Sequence, residues 1–391
     1  MSEVFKHLKI HGASDFIVLK RSDGTLASSP ILVHFGTEIV AKSGQEGVPV
    51  QIAVNGKSID GMGLRTDENG DVYERNATLA PLKSILKTTG PYSAQFSAKN
   101  AKGQMLSVNC TLYYLDHNAK LVVSDIDGTV TKSDLRGMML GKVWMQHDVR
   151  NLYEQIKQRG YQLVYLSARP AAAGTMTRHF LNKLNMPSGA LLLSYEPLEK
   201  AVKTAVKDPQ RVKIVCMQRL KDLFKLAPFF AGFGNQQSDK IAYDALEVPT
   251  VFMVNPKGAV TIYRNAGGQT VDKPTTYRNV IDKMMDTLFP RAQNADNFRW
   301  STNVIIAGLC SLKPRWCRAK PEANRKCHRP TSLLNKCNSR TTLLVETETV
   351  PRRKPTESAI VQHLQPLLIP MPINKKNKMD KSPKKKERNN G

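Results

Sequence analysis

Leu121-Val122-Val123-Ser124-Asp125-Ile126-Asp127-Gly128-Thr129 is the stretch on which the reading of this chain turns. An apolar run of strand length leads directly into two carboxylates at i and i+2, and a glycine follows. In a parallel sheet the backbone leaves the core at the carboxyl end of a strand, and ligands gather in the crevice there. Both acids can face that crevice while Gly128 lets the chain turn tightly. One carboxylate can attack phosphorus to form an aspartyl phosphate, and the second can protonate the leaving oxygen and later activate water. Neighbouring acids repel, which calls for a divalent cation, and Mg²⁺ suits oxygen ligands, retained waters and substrate phosphate. Alone, Asp-x-Asp-Gly is an ordinary surface turn, and the buried-type strand before it is what argues for a site.

Working outward, apolar runs after Lys120 alternate with helical patterns of about 10 to 15 residues, the mark of βαβ units and a parallel sheet. The patterning predicts strands at Leu121 to Ile126, Leu163 to Leu166, Ala190 to Leu193, Phe229 to Phe233 and Thr250 to Val254. Helices are expected over Val149 to Gln158, Thr175 to Leu184, Leu198 to Val206, Arg219 to Leu226, Ser238 to Leu246 and Thr276 to Leu288. Three further features fall near strand ends. Tyr165-Leu166-Ser167-Ala168-Arg169 offers a hydroxyl where a phosphoryl oxygen needs a donor. Arg211-Val212-Lys213 offers a cation before a helix, to neutralise charge on the transferred group. Phe233-Gly234-Asn235, followed by Asp239, offers oxygen ligands for the metal. In this order the set describes a haloacid-dehalogenase-type phosphatase with a Rossmann-like α/β domain.

Upstream, from Phe16 to about Asp116, short strand candidates are separated by turn signals, which favours an antiparallel sandwich. Phe16 to Lys20, Ile31 to Phe35 and Val48 to Val54 are candidate strands, with Ser22-Asp23-Gly24-Thr25 and Asn55-Gly56 as turns. The clearest strand places Leu106, Val108, Cys110, Leu112 and Tyr114 on one face, so Cys110 reads as a buried hydrophobe.

Ser124 to Asp134 resembles the lipin family of Mg²⁺-dependent phosphatidate phosphatases nearly letter for letter. Gly12-Ala13-Ser14-Asp15, Asp23-Gly24-Thr25-Leu26, Ser29-Pro30 and Phe35-Gly36 resemble its amino-terminal motif. Trp144, Ser167-Ala168-Arg169, Leu191 to Ser194, Phe233-Gly234-Asn235, Val254 to Gly258 and Asn297-Phe298-Arg299-Trp300 extend the likeness over residues 3 to 300. The resemblance implies Asp125 as nucleophile, Asp127 as general acid and base, Ser167 as phosphate donor and Lys213 as charge stabiliser. It implies Mg²⁺ held by Asp125, the Asp127 carbonyl and Asn235. It also implies that the amino-terminal segment joins the stretch before the catalytic motif in one immunoglobulin-like sandwich. The expected organisation is that β-sandwich over 1–118, a haloacid-dehalogenase-like catalytic domain over 119–290 and a basic, mostly disordered tail over 291–391.

Three departures from the family stand out. Asp71 to Pro91 leaves almost no room for the long insert that lipins carry between their two conserved regions. Gln236 stands where the family has arginine, and Arg136 replaces the first leucine of its leucine-rich coactivator motif. The implied activity is hydrolysis of phosphatidic acid in membranes to diacylglycerol and phosphate, in glycerolipid synthesis. The alternative is a non-catalytic phosphatidic-acid-binding membrane sensor, as in related phosphatidylinositol-transfer proteins that have lost the acidic pair. Retention of Asp125 and Asp127 argues against it. A phosphatase for proteins or soluble esters is a third class.

Of 391 residues, 58 are Lys or Arg and 33 are Asp or Glu, a formal charge of +25. Residues 301–391 hold 20 basic and 6 acidic side chains, more than half of that excess. Such a tail suits anionic lipid, where each cation contributes on the order of 1 kcal/mol. Nuclear import fits the same charge run, but without interleaved aromatics it gives no reason to expect specific nucleic-acid recognition. Residues 2–10 read equally as a short membrane-seeking helix or a terminus feeding the first strand, and Phe298 and Trp300 as interfacial or packed aromatics. Val304 to Cys310 falls far short of the roughly 20 residues a spanning helix needs, so no transmembrane segment is expected. Six cysteines in a chain this long give no disulfide framework, and a reducing compartment is expected. The expected location is cytoplasmic, peripheral on endoplasmic reticulum or nuclear membrane, with nuclear import a further option.

Overall fold

The computed structural model describes residues 11–39, 47–131, 145–194, 208–265 and 270–292. The expected helices at 2–10 and 198–206, the leucine-rich segment at 136–140, the aromatic pair Phe298 and Trp300, and the basic tail beyond 292 lie outside the described residues.

The amino-terminal half is built from two sheets. One has three strands, β1 (Gly12–Ala13), β4 (Ile31–His34) and β7 (Asp71–Glu74), in the order β1-β4-β7. The other holds β2 (Phe16–Lys20), β3 (Leu26–Ser28), β5 (Gln51–Val54), β6 (Lys57–Ile59), β8 (Gly90–Lys99) and β9 (Met105–Asp116), in the order β3-β2-β9-β8-β5-β6. Both contribute to one apolar core, with Ile31, Val33 and Val72 from the first sheet and Phe16, Val54, Phe96 and Leu112 from the second. Cys110 is buried in that core as its alternation requires, and burial pushes its thiol far up. The pairing corrects the expectation of a purely antiparallel sandwich, because β2 runs parallel to β9. The chain between these two strands passes through the other sheet, and such a long crossover allows parallel pairing.

The second half is a mixed α/β unit. Its strands are β10 (Leu121–Ser124), β11 (Gln162–Pro170), β12 (Ala190–Ser194), β13 (Phe229–Gly234), β14 (Thr250–Val254), β15 (Val260–Arg264) and β16 (Thr270–Val271). Their order is β12-β11-β10-β13-β14-β15-β16; the first five are parallel, β15 runs antiparallel to β14, and β16 reverses again against β15. The chain winds outward from β10 to β12 and then returns to β13 on the other side of β10. That reversal makes the carboxyl end of β10 the switch point where a crevice opens.

Successive β10 residues point to opposite faces. Val122 joins one core with α1 (Val149–Gln158), while Leu121 and Val123 join another with α3 (Pro209–Phe224). Helix α1 buries Val149, Leu152, Tyr153 and Ile156, a spacing of one helical stripe. Among the described residues the remaining α-helices are α2 (Gly174–Lys183), α4 (Gln237–Ala245) and α5, which begins at Tyr277–Asn279 and continues through a widened turn to Met285–Leu288. Helix α3 starts ten residues before the expected Arg219, capped by Asp208 with Pro209 in the first turn. Lys213 therefore lies inside a helix and not ahead of one.

The two halves meet along β12, an edge of the seven-stranded sheet. Asp15 donates its amide to the Leu191 carbonyl at 2.9 Å, and its Oδ2 accepts from the Leu191 amide at 2.8 Å. Ser14 Oγ lies 3.2 Å from the Leu193 amide. Asp15 Oδ1 accepts from the Thr111 amide at 2.7 Å and from Arg178 Nη2 on α2 at 2.6 Å. The edge strand's backbone groups are thus met by a residue pair of the amino-terminal half. Gly174 allows this approach, because a Cβ there would lie 2.1 Å from the Ala13 carbonyl oxygen. Asp15→Asn should keep the shape but put an amide donor against one of these donors, costing about 2 kcal/mol in urea unfolding. A loss below about 0.5 kcal/mol would show that the cap does not hold the halves together.

Candidate active site

Asp125 follows the last residue of β10, and its amide donates to the Phe233 carbonyl at 2.9 Å, carrying the β10–β13 ladder one step further. Two buried tyrosines brace these strand ends. The Tyr153 hydroxyl and Ser124 Oγ are 2.7 Å apart, and Ser124 Oγ donates to the Asp125 carbonyl at 2.6 Å. Tyr243 donates its hydroxyl to the Phe233 carbonyl at 2.7 Å. Burial pushes both phenols well up, so their hydroxyls stay protonated as donors.

The turn after Asp127 is as tight as its glycine suggests. Gly128 has φ +88°, and a Cβ there would lie 2.0 Å from the Asn235 side-chain nitrogen. Asn235, one residue beyond β13, is thereby packed against the Asp127–Gly128 turn. Thr129 Oγ1 lies 3.1 Å from Asp125 Oδ2 and 3.2 Å from Asn235 Oδ1, so the two oxygens converge.

Lys213 enters from α3. Its Nζ donates to Asp125 Oδ1 at 2.6 Å and to Asp239 Oδ1, and all three side chains are buried. Burial pushes the Asp125 carboxyl up to about 7 even though the Lys213 charge pulls the other way. Burial would depress the Lys213 ammonium, but the charges of Asp125 and Asp239 outweigh it and hold the group above the usual lysine range. Asp239 Oδ2 accepts from the Asn235 and Gln236 amides at 3.0 and 2.9 Å. Both of its oxygens are thus committed to Lys213 and to shaping the loop, which corrects the reading of Asp239 as a metal ligand. Arg211, the other cation of its triplet, places its amide on the Asp208 cap, while Lys213 reaches the aspartates.

Asp127 pairs with a different cation, Arg169 on β11. Arg169 Nη2 donates to its Oδ1 at 2.6 Å and its Oδ2 at 2.7 Å. Ser167 is buried on β11, and its Oγ accepts from the Arg169 amide at 3.3 Å. The link from Ser167 to Asp127 therefore runs through Arg169. The expected roles do not include Arg169; its signal in the sequence is a cation at a strand end, two residues after the Ser167 hydroxyl.

Residues 74–290 match the family described as LNS2 (Lipin/Ned1/Smp2), and residues 1–88 match the lipin N-terminal conserved region. The chain belongs to the lipin family. In this lipin-family chain the two matches meet at the end of β7, inside the two-sheet half, so both contribute strands to it. Phosphatidate phosphatase PAH1 of Arabidopsis thaliana is 33% identical over 239 residues, covering 54% of this chain and 26% of the relative. Phosphatidate phosphatase LPIN2 of Homo sapiens is 35% identical over 222 residues, covering 53% and 24%. Phosphatidic acid phosphohydrolase 1 of Saccharomyces cerevisiae is 32% identical over 203 residues, covering 46% and 23%. The alignments span about a quarter of the length of these relatives.

Proposed function

We propose that this chain is a Mg²⁺-dependent phosphatidate phosphatase that releases phosphate from phosphatidic acid at a membrane surface and leaves diacylglycerol. The observation that carries the reading is the paired carboxylate at the end of β10, with Asp125 on Lys213 and Asp127 on Arg169. The relatives' names as phosphatidate phosphatases and a phosphatidic acid phosphohydrolase supply the substrate. Asp125 attacks phosphorus, its oxygen bonding to phosphorus as the ester P–O bond breaks, and Asp127, which takes up a proton from solvent when substrate binds, gives that proton to the departing alkoxide. Water then attacks the aspartyl phosphate; Asp127 takes a proton from it as the bond to Asp125 breaks. Lys213 holds Asp125 in place, and the Ser167 hydroxyl donates to a phosphoryl oxygen.

The donor set fits a magnesium ion. Among the described residues no three His, Cys, Asp or Glu side chains form a metal cluster. The Asp125 carboxylate and the Asn235 side-chain carbonyl both lie against Thr129 Oγ1, and both are hard donors; the Asp127 backbone carbonyl is the third ligand that the family resemblance implies. A bound Mg²⁺ there would supply neutralising charge to the phosphoryl group, with waters completing its shell.

In the same reading, residues 1–118 form an immunoglobulin-like sandwich and 119–290 the catalytic unit, an assignment supported by the shared core of the two sheets. Membrane association is peripheral, on endoplasmic reticulum or nuclear membrane. No helix among the described residues is long and apolar enough to cross a membrane. The test is phosphate release from phosphatidic acid in mixed micelles by the full chain, with and without Mg²⁺. Turnover should fall at least about 100-fold on chelation. Binding without turnover would favour the sensor, and equal rates on glycerol phosphate would favour a soluble-ester phosphatase.

A further inference from the structure

Among the described residues, Lys213 and Arg169 are the cations that contact the site's carboxylates. They are held very differently. Lys213 is sealed between Asp125 and Asp239, with its side chain 7% exposed and both partner carboxylates buried. Arg169 is nearly as buried, at 10% exposed, but the carboxylate it touches is not, since the Asp127 side chain is 31% exposed. From below, its Nη1 donates to Thr177 Oγ1 at 2.9 Å, and that hydroxyl donates to the Ala173 carbonyl at 2.9 Å. Thr177 is fully buried on α2, so the guanidinium stands on a fixed post, with its Nη2 on Asp127. Its own amide reaches Ser167 Oγ, which places it beside the hydroxyl expected to meet phosphate.

Three carboxylates against two cations leave the site one negative charge in excess. A phosphomonoester adds about two more, and a divalent ion offsets only that addition. Lys213 already has a carboxylate on either side, whereas the one carboxylate that Arg169 contacts is the half-buried Asp127. A guanidinium offers a fork of donors matched to two phosphoryl oxygens, and Arg–phosphate pairs of this geometry are among the strongest hydrogen-bonded contacts. We infer that Arg169 is a phosphate-gripping residue that Asp127 holds in reserve: when a phosphomonoester enters, the guanidinium exchanges the Asp127 carboxylate for phosphoryl oxygens while Thr177 keeps it anchored. The exchange also frees Asp127 to face the leaving oxygen. This inference deepens the phosphatase reading and rests on it for the lipid substrate, but the phosphate contact itself does not require turnover.

The experiment uses the full chain loaded with Mg²⁺ and two probes. Inorganic phosphate is titrated calorimetrically, and phosphatidic acid in mixed micelles is followed by steady-state kinetics. Arg169→Met should weaken phosphate binding about 30-fold, the worth of a charge-assisted pair, and raise KM by a similar factor. Arg169→Lys keeps the charge but loses the fork, and should lose about 10-fold in each. Thermal melting of both variants checks the fold, and the lysine variant keeps the test open if the methionine one unfolds. Unchanged phosphate affinity with a lowered kcat would overturn the inference and reduce Arg169 to a positioning residue for Asp127. Failure of the wild-type protein to bind phosphate would also overturn it. Phosphate binding that depends on Arg169 in a protein that does not hydrolyse phosphatidic acid would sink the phosphatase reading and leave this inference standing.

Discussion

Asp125→Asn is expected to lower kcat on phosphatidic acid by about 10,000-fold or more, because the step that breaks the ester bond needs an anionic oxygen that an amide cannot supply. The substitution keeps the size of the side chain and its place after β10. It leaves Lys213 paired with the fully buried Asp239, whose Oδ2 still holds the Asn235 and Gln236 amides. Nor should the fold suffer, since burial pushes the Asp125 carboxyl up to about 7 and an uncharged amide avoids that desolvation. Loss of turnover with melting temperature within a few degrees of the parent is therefore the expected pair of results. Single-turnover phosphate release separates this from a binding defect. A residual rate within tenfold of the parent would remove Asp125 as nucleophile and with it the whole proposed reaction.

The elements that position this residue are legible in the sequence because they obey single local rules. Thr250–Val254 and Val149–Gln158 fall where they were expected, the first a β-branched run between turns and the second a clean apolar stripe. Strand β8 carries a weaker local signal, although Tyr92, Ala94, Phe96 and Ala98 are buried at period two. Serine and alanine fill four of its ten positions, and neither marks a strand strongly. Helix α3 hid its start for another reason: Val212, Ile214, Val215, Cys216 and Met217 crowd every face of its second and third turns, so no stripe shows. The Asp208-Pro209 cap was the signal that mattered there. The contacts that organise the site follow no local rule. Arg169 and Asp127 are 42 positions apart, and Asp15 and Leu191 are 176 apart. They meet because β10 and β11 end together and because β12 is left as an edge, which are properties of strand order.

Lys213→Met makes that distinction measurable, since it removes a charge while roughly preserving an apolar stem of similar length. Two buried carboxylates, Asp125 and Asp239, would then face each other without a cation, at a cost of about 3 to 5 kcal/mol to stability. Activity should fall about 1,000-fold, because Asp125 loses the partner that fixes its Oδ1. The pH dependence carries the stronger test. In the parent, burial already raises Asp125 above its unfolded value, so the folded state holds an extra proton from about pH 4 to about pH 7 and stability declines as pH rises through that window. Without Lys213, burial and the Asp239 charge act unopposed and the carboxyl moves further up. The deficit of the variant should thus be larger at pH 8 than at pH 5.5 in urea unfolding with chelator present. A deficit equal at both values would mean that Lys213 contributes packing alone, and a site balanced by packing alone could not hold an aspartate ready to attack phosphorus.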